Sequence, residues 1–482
     1  MEPTPHVLIL PFPAQGHVKP MLTLATLLSH AGLRVTFATS QAVLDPLLRH
    51  LHLPSFTAAF PSLRFAPLPD GFPTRATTNR HNPSLSQLLA EAFAVTANVT
   101  PRLFRELLAD LFEKEGEAPT CVVADGIMSF AIEAAGEFGI PVVAFRTYGA
   151  TSTWVYFHLQ TLIDQGLIPF QQGEMDRPIR CIPGLEDIIR LRDLPGFCRQ
   201  RNSDEGAMLQ FFLDQTSAMR KASALILNTF NELEPGPVAQ LGSIFPRVYT
   251  LGPLQALSKQ IIPNSDSDGS LWKKDRACMT WLDRQQPNSV LYVSFGSFLT
   301  LTRDQRLEIW HGVVDSGKPF MWVARAGSIL YESASDDNIP DELLIATRDR
   351  GLVVEWVPQE EVLAHRAVGG FLTHCGWNST LESVSAGVGM IGWPGLADQQ
   401  VNSRCVEEIW KVGIDVKDTC DRRTVESAVR RLMEGGDQGM AARVAELRRS
   451  AVRSVEAGGS SHCNLMKLIE DVSKMSSKST LR

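Results

Sequence analysis

Two histidines in this chain stand where residue type and spacing permit chemistry. His17 closes the run Pro11-Phe-Pro-Ala-Gln-Gly16-His17, directly after the apolar segment His6–Leu10. Asp125 closes another apolar segment, Cys121–Asp125, and Gly126 follows it. An imidazole beside a carboxylate is a general base: the carboxylate bonds one ring nitrogen and leaves the other to take a proton near neutral pH. The second histidine opens His374-Cys-Gly-Trp-Asn-Ser-Thr-Leu-Glu382, in which Gly376 permits a tight turn and a helix is expected to begin near Asn378 or Ser379. A helix N-terminus offers unsatisfied N–H groups and the positive end of the helix dipole, which suits a phosphate. His374, Asn378 and Ser379 can add donors to it.

Simpler readings compete at each position. Ser379-x-x-Glu382 matches a capping box, which would satisfy only the helix's own amides. Asp125 and Asp398 can act as N-caps, and His17 as a capping or solvated residue. Trp356 and Trp393 can be core aromatics.

These side chains need scaffolds, and the hydrophobic pattern supplies them. His6–Leu10, Arg34–Thr39, Cys121–Asp125 and 142–145 read as strands, with helices over 20–31 and 130–138. A polar, turn-rich stretch, Pro263-Asn-Ser-Asp-Ser-Asp-Gly269, reads as a linker. The alternation then restarts with strands at 290–294, 320–323, 352–355, 369–373 and 390–392 and a helix over 304–316. Strands alternating with helices imply parallel βαβ units, hence two α/β domains in tandem. Such sheets carry their sites at the carboxyl ends of strands, where the His17 loop falls. The expected division is 1–250, 251–460 and a terminal segment 461–482. In the last of these, Leu465, Leu468, Ile469 and Val472 form an apolar face that must dock, with the first domain as a candidate surface, and Ser476–Arg482 reads as disordered.

Composition narrows the function class. The 482 residues exceed a single ordinary core, and 44% hydrophobic with 21% charged residues is globular. A net charge of −7 argues against a phosphate-backbone binder. Eight cysteines without a C-x-x-C pair fit a reducing compartment, and no apolar run reaches the roughly 20 residues of a membrane span. No signal peptide is read at the N-terminus. The expectation is a cytoplasmic monomer without nucleic-acid or membrane partners.

The joint pattern from Trp356-Val-Pro-Gln359 through His374–Glu382 to Trp393-Pro-Gly-Leu-Ala-Asp398-Gln399 resembles the signature of plant family 1 UDP-glycosyltransferases. The N-terminal Pro-x-Gln-Gly-His segment and the strand Tyr292-Val-Ser-Phe-Gly-Ser297 extend that resemblance over nearly the whole chain. It implies the two-domain GT-B architecture, two Rossmann-like domains facing across a cleft, and an inverting, metal-independent transfer from UDP-glucose to a hydroxyl or carboxyl of a small apolar metabolite, a terpenoid or phenolic. By the same resemblance His17 is the catalytic base and Asp125 its partner. Trp356 would stack on uracil and the Val357 backbone would read its edge. Gln359 and Glu382 would hold the ribose, and Ser297, His374, Asn378 and Ser379 the diphosphate. Trp377, Asp398 and Gln399 would contact the sugar, and Gln399 points to glucose. UDP-glucose is a substrate, and no bound cofactor or metal is implied.

The acceptor is expected against Phe12, Gly16, Ile127, Met128, Tyr148, Trp154 and parts of the loop 181–197, a mainly apolar lining. Gly389 stands where the family usually has Pro, and it creates a G-x-G-x-x-G match at Gly387, Gly389 and Gly392 with a helix before and a strand after. That is the wrong order for a dinucleotide fingerprint. The rival classes are a nucleotide-cofactor oxidoreductase, which lacks a glycine fingerprint after its first strand, and a non-catalytic nucleotide-sugar binder. A membrane-anchored glucuronosyltransferase would need a leader and an anchor.

Overall fold

Short runs rich in Val, Ile and Leu become strands here because both faces of the central part of a parallel sheet are covered, so few polar residues interrupt them. The computed structural model describes residues 4–68, 85–115, 119–200, 202–263, 270–297, 299, 301–324, 345, 347–348, 350–435 and 438–475. The chain divides into two units. The first comprises 1–170, 197–272 and 452–482, and the second 171–196 and 273–451.

In the first unit, β1 (His6–Leu10), β2 (Arg34–Ser40), β3 (Leu63–Leu68), β4 (Cys121–Asp125), β5 (Val142–Arg146), β6 (Ala224–Leu227) and β7 (Val248–Thr250) form one parallel sheet in the order β3-β2-β1-β4-β5-β6-β7. Its switch point, where the winding reverses, lies between β1 and β4, paired Val7↔Cys121 through Leu10↔Ala124. The helix after β1 spans Gln15–His30, starting earlier than expected and so placing His17 in its first turn.

One face of this sheet carries a core of Val7, Ile9, Phe37, Val123 and Phe145, each fully buried or nearly so. The terminal helix Ser460–Lys474 adds Leu465, Leu468 and Val472 to that core, with Ile469 packed at its edge. Each such side chain contributes roughly 1.5–3 kcal/mol on burial. Polar contacts set the helix's register: Asp471 accepts from Tyr249 at 2.6 Å, and Asn464 donates to Thr250 at 2.8 Å.

The second unit repeats the plan. Strands β8 (Val290–Ser294), β9 (Phe320–Val323), β10 (Gly351–Val354), β11 (Val368–Thr373), β12 (Met390–Gly392) and β13 (Gly413–Asp415) lie in the order β10-β9-β8-β11-β12-β13. Its switch point is between β8 and β11, paired Thr373↔Ser294 at the carboxyl end.

The units depart from the division drawn at 250 and 460. Residues 251–272 stay with the first unit because the helix Leu254–Ile261 buries Leu254 and Leu257 in the same core as Val7. Residues 171–196 join the second, held by a buried ion cluster. Lys417 Nζ donates to Asp193 at 2.5 Å and to the Gln400 carbonyl at 3.0 Å, and it pairs with Asp415 at 2.8 Å. Burial opposes ionisation of Asp193, but Lys417 and Arg190 outweigh it and hold the carboxyl below its usual range. Of the expected linker, 264–269 lie outside the described residues, as does the tail 476–482.

Candidate functional site

The first unit assembles its site at its switch point. His17 Nδ1 lies 2.7 Å from Asp125 Oδ2, although the two are 108 residues apart. The Asp125 carboxylate also accepts from the backbone N–H of Ile127 at 3.1 Å and of Phe12 at 3.4 Å, so it is anchored from both flanking loops. The imidazole side chain is 22% exposed and the carboxylate 1%. A proton on Nδ1 directed at Asp125 would leave the Nε2 lone pair available to accept a proton. The capping and solvated alternatives for these two residues give way to a dyad.

Two partners escaped the sequence reading. Thr147, one residue past β5, lies with Oγ1 2.9 Å from His17 Nδ1. Glu234, 2% exposed, accepts from the N–H groups of Ala150 at 2.9 Å and Thr151 at 2.8 Å. It thereby fixes the start of the helix Ala150–Phe157 beyond Thr147, and burial pushes its carboxyl pKa up. The signal for Thr147 was present, since it directly follows the carboxyl end of a strand, the end at which Asp125 also lies. Glu234 carried none.

Among the expected acceptor residues, Phe12 packs edge-on to His17 with ring centroids 5.3 Å apart. Gly16 sits beside His17 in the first helical turn, and Ile127 and Met128 are buried just past Asp125. Tyr148 is buried 5.4 Å from Tyr156, whereas Trp154 packs its ring on His158 at 4.3 Å. Phe93 packs on Phe12 with centroids 5.9 Å apart, and Phe211 and Phe212 pack on Phe93 in turn. Of the loop 181–197, Phe197 belongs to the first unit and 181–196 to the second.

The second unit's switch point is built differently. His374 follows β11 and is 9% exposed; burial takes its pKa down to about 4, against a smaller contribution from the Ser294 backbone. A Cβ on Gly296 or on Gly376 would come within 2.4 Å of His374 Nε2, so glycine at both positions is a condition for the ring's placement. Gly296 also has φ +71°, which L side chains rarely adopt. Ser297 follows it, half-buried.

The helix after His374 spans Trp377–Ala386 and begins at Gly376, which has no side chain to cap it. Ser379 is therefore inside the first turn and the expected capping box does not form. Instead, Gln359 Nε2 donates to Ser379 Oγ at 2.8 Å and to Glu382 Oε2 at 2.6 Å. Tyr292, unmarked in the sequence, donates its hydroxyl to Gln359 Oε1 at 3.0 Å. Trp356 and Val357 lead into this cluster, the first half-buried and the second buried.

Asp398 makes no capping bond either; its carboxylate accepts from Asn402 Nδ2 at 2.7 Å. That same amide donates to the Cys375 carbonyl at 2.9 Å, tying Asp398 to the His374 turn. Gln399 Oε1 accepts from the N–H groups of Gly395 and Leu396, at 3.0 and 2.9 Å. Trp377 is buried with its ring 6.0 Å from Trp410, and Asn378 is half-buried beside it. Trp393 is a core aromatic, its indole donating to the Thr419 carbonyl.

The glycine run of the false fingerprint is also explained. Gly387 is the left-handed cap of the helix Trp377–Ala386, and a Cβ at Gly389 would meet Leu432 at 2.8 Å. Among the described residues, no group of three His, Cys, Asp or Glu side chains is placed to hold a metal ion, and no helix is long and apolar enough to cross a membrane.

Comparison with known proteins decides the family. The chain is 44% identical over 479 residues to 7-deoxyloganetic acid glucosyltransferase of Catharanthus roseus, covering 98% of each. It belongs to the plant family 1 UDP-glycosyltransferases. Residues 244–441 match the family described as UDP-glucoronosyl and UDP-glucosyl transferase, and 5–168 match a glycosyltransferase N-terminal domain. The (R)-mandelonitrile beta-glucosyltransferase of Prunus dulcis is 38% identical, with 97% of each chain covered.

Among solved structures, the enzyme resembles Medicago truncatula UGT71G1 complexed with UDP-glucose, with a TM-score of 0.79, 26% identity and 98% of each chain covered. It also resembles a Polygonum tinctorium UDP-glucosyltransferase capable of glucosylating indoxyl, with a TM-score of 0.76, 28% identity, and 98% and 99% coverage. The enzyme is thus a GT-B glycosyltransferase that uses a UDP-sugar donor. No support emerges for an oxidoreductase or for a non-catalytic binder.

Proposed function

We propose that this enzyme transfers glucose from UDP-glucose to a hydroxyl of a small apolar plant metabolite, of the terpenoid or phenolic class, with inversion and without a metal ion. The observation that carries the reading is the His17–Asp125 pair at 2.7 Å. In this mechanism the acceptor hydroxyl loses its proton to His17 Nε2 as its oxygen attacks the anomeric carbon, and the bond from that carbon to UDP breaks. Asp125 stabilises the imidazolium that forms, holding the tautomer as a carboxylate does in a catalytic triad.

The leaving diphosphate meets the N-terminus of the helix Trp377–Ala386, with Ser297, His374, Asn378 and Ser379 as donors. Fixed dipoles at that point supply the stabilisation a metal would otherwise give. Trp356 and Val357 receive the uracil, Gln359 and Glu382 the ribose, and Trp377, Asp398 and Gln399 the glucose. Gly16 and Phe12 flank the acceptor. Relatives named for 7-deoxyloganetic acid and (R)-mandelonitrile support a small, largely apolar acceptor. Eight cysteines, none of them in a disulfide, support a reducing, cytoplasmic setting. Both constellations lie on one chain, which supports a working monomer.

The test is incubation with UDP-glucose, EDTA and a panel of terpenoid and phenolic alcohols, followed by mass spectrometry for hexose addition, with His17→Ala alongside. A product from wild type and none from the variant is expected. Donor binding with an EDTA-abolished reaction would overturn metal independence, and no binding of UDP-glucose would overturn the donor assignment.

A further inference from the structure

We infer that Asp193 and Lys417 are positioning residues for the donor sugar: they hold the short helix at whose start Asp398 and Gln399 stand. The inference rests on the reading of those two residues as glucose contacts, and it adds what fixes their place.

The turn that carries the two contacts has little of its own to hold it. Ala397, directly before Asp398, has φ +54°, a conformation that a residue with a Cβ rarely adopts and that persists only where the surroundings enforce it. The helix that follows, Gln399–Arg404, spans six residues, and Asp398 gives it no side-chain cap. A helix this short is marginal by itself, so what it packs against sets its direction.

What it packs against is the buried ion cluster of the second unit. Lys417, its side chain 4% exposed, donates from Nζ to the Gln400 carbonyl, in the first turn of that helix, at 3.0 Å. Asp193, 0% exposed, accepts from the same Nζ, and Asp415 is its second counter-charge at 2.8 Å. Asp415 in turn accepts from Ser403 Oγ at 2.6 Å, further along the helix. At the helix's last residue, Arg404 Nε donates to the Ile188 carbonyl at 2.8 Å and lies 3.5 Å from Asp193 Oδ2. Asp193 therefore reaches the helix at both ends, through Lys417 to Gln400 and through Arg404. Its own carboxylate is fixed by Arg190, whose backbone N–H and Nε donate to Oδ2 at 2.8 and 3.0 Å.

The bonds on the site side join Gln399 to the loop before it and Asp398, through Asn402, to the His374 turn. The ion cluster supplies a second hold, from β13 and from residues 188–193. An apolar filler of similar volume would give equal or greater stability than a buried ionic cluster. Charges give direction instead, because charge-assisted hydrogen bonds fix the groups they join. With that hold removed, the helix start and the side chains of Asp398 and Gln399 shift against the sugar, while the residues assigned to uracil, ribose and diphosphate stay in place.

The experiment uses the full-length enzyme with one acceptor that wild type turns over, UDP-glucose, UDP-galactose and UDP-xylose as donors, and UDP as inhibitor. Lys417→Met is expected to lower kcat/KM for UDP-glucose roughly ten- to a hundredfold, the range for a displaced reacting group. The preference for UDP-glucose over the other two donors is expected to narrow roughly tenfold, with the inhibition constant of UDP unchanged. The double variant Asp193→Asn/Lys417→Met removes one charge of each sign, so its Tm is expected to exceed that of Asp193→Asn while the donor preference stays narrowed. Arg404→Gln, at the edge of the cluster, is expected to narrow the preference roughly two- to tenfold, and it serves if the other variants fail to fold. Donor preferences equal to wild type in these folded variants, or a loss of UDP inhibition as large as the loss of kcat/KM, would overturn the inference while leaving glucosyl transfer standing. Gln399→Ala, run alongside, tests the parent reading by itself: a donor preference unchanged there would overturn the assignment of Gln399 to the sugar instead.

Discussion

The two sheets share one winding order, and each places a histidine just past its switch point, yet the two imidazoles are built for opposite tasks. His17 has a carboxylate at 2.7 Å and keeps part of its ring exposed, which is the arrangement the proposed proton transfer requires. His374 is packed between Gly296 and Gly376 with, among the described residues, no carboxylate paired to it, and burial takes its pKa down to about 4. It stays neutral at physiological pH and acts as a fixed dipole beside the helix Trp377–Ala386. Topology therefore chooses where a site falls, and the groups that close around it choose what it does.

The comparison can be broken most directly at its proton-transfer end. His17→Ala is expected to lower kcat by roughly 10²- to 10⁴-fold, with the dissociation constant for UDP unchanged by calorimetry. A matching loss of UDP affinity would show that the tasks are not separate.

The converse change is Glu382→Ala, expected to weaken UDP binding roughly ten- to a hundredfold, the scale of a hydrogen bond to a charged group. At saturating donor kcat should hold, and a fall in kcat as large as that of His17→Ala would contradict the assignment.

The neutral state of His374 has its own signature. Unfolded, the ring takes a proton near pH 6.5; folded, it does so only near pH 4. The unfolded state thus binds more protons in that window, and stability rises with pH. The contribution is complete above about pH 6.5 and is lost as pH falls through the folded value. At pH 5 the loss is about 2 kcal/mol. Urea unfolding of wild type and His374→Gln at pH 7 and pH 5 should show a flatter dependence in the variant, and parallel curves would mean that the ring is not held neutral.

The smallest effect is expected at Thr147→Val, where losing one neutral hydrogen bond to the base costs about 0.5–1.5 kcal/mol. The measured kcat should fall roughly two- to tenfold, and a loss equal to His17→Ala would place Thr147 in the chemistry itself.

Legibility in the sequence followed local pattern. The strands His6–Leu10, Cys121–Asp125, Val290–Ser294 and Phe320–Val323 match their expected bounds because five or so apolar residues between turn signals leave little freedom. The strands Leu63–Leu68, Ala224–Leu227, Val248–Thr250 and Gly413–Asp415 escaped notice, and length alone does not separate them from Phe320–Val323 and Met390–Gly392, which are as short and were legible. Ser379 shows a different limit. Its spacing to Glu382 suits a capping box, but the helix starts at Gly376 and Gln359, 20 residues earlier, takes both side chains.

Residue types and their order determined the two α/β halves, the strand-end positions of His17, Asp125 and His374, and the resemblance that named the donor. The tertiary structure alone decided that residues 171–196 pack with the second unit, that the terminal helix closes the first unit's core, that Thr147 reaches His17 while Glu234 holds the start of the next helix, and that, among the described residues, Arg146 is buried without a counter-charge. The physical reason is range. Periodicity, caps and turns act over a few residues, whereas burial and ion pairing join groups such as Asp193 and Lys417 across 224 positions, and only the folded chain brings those together.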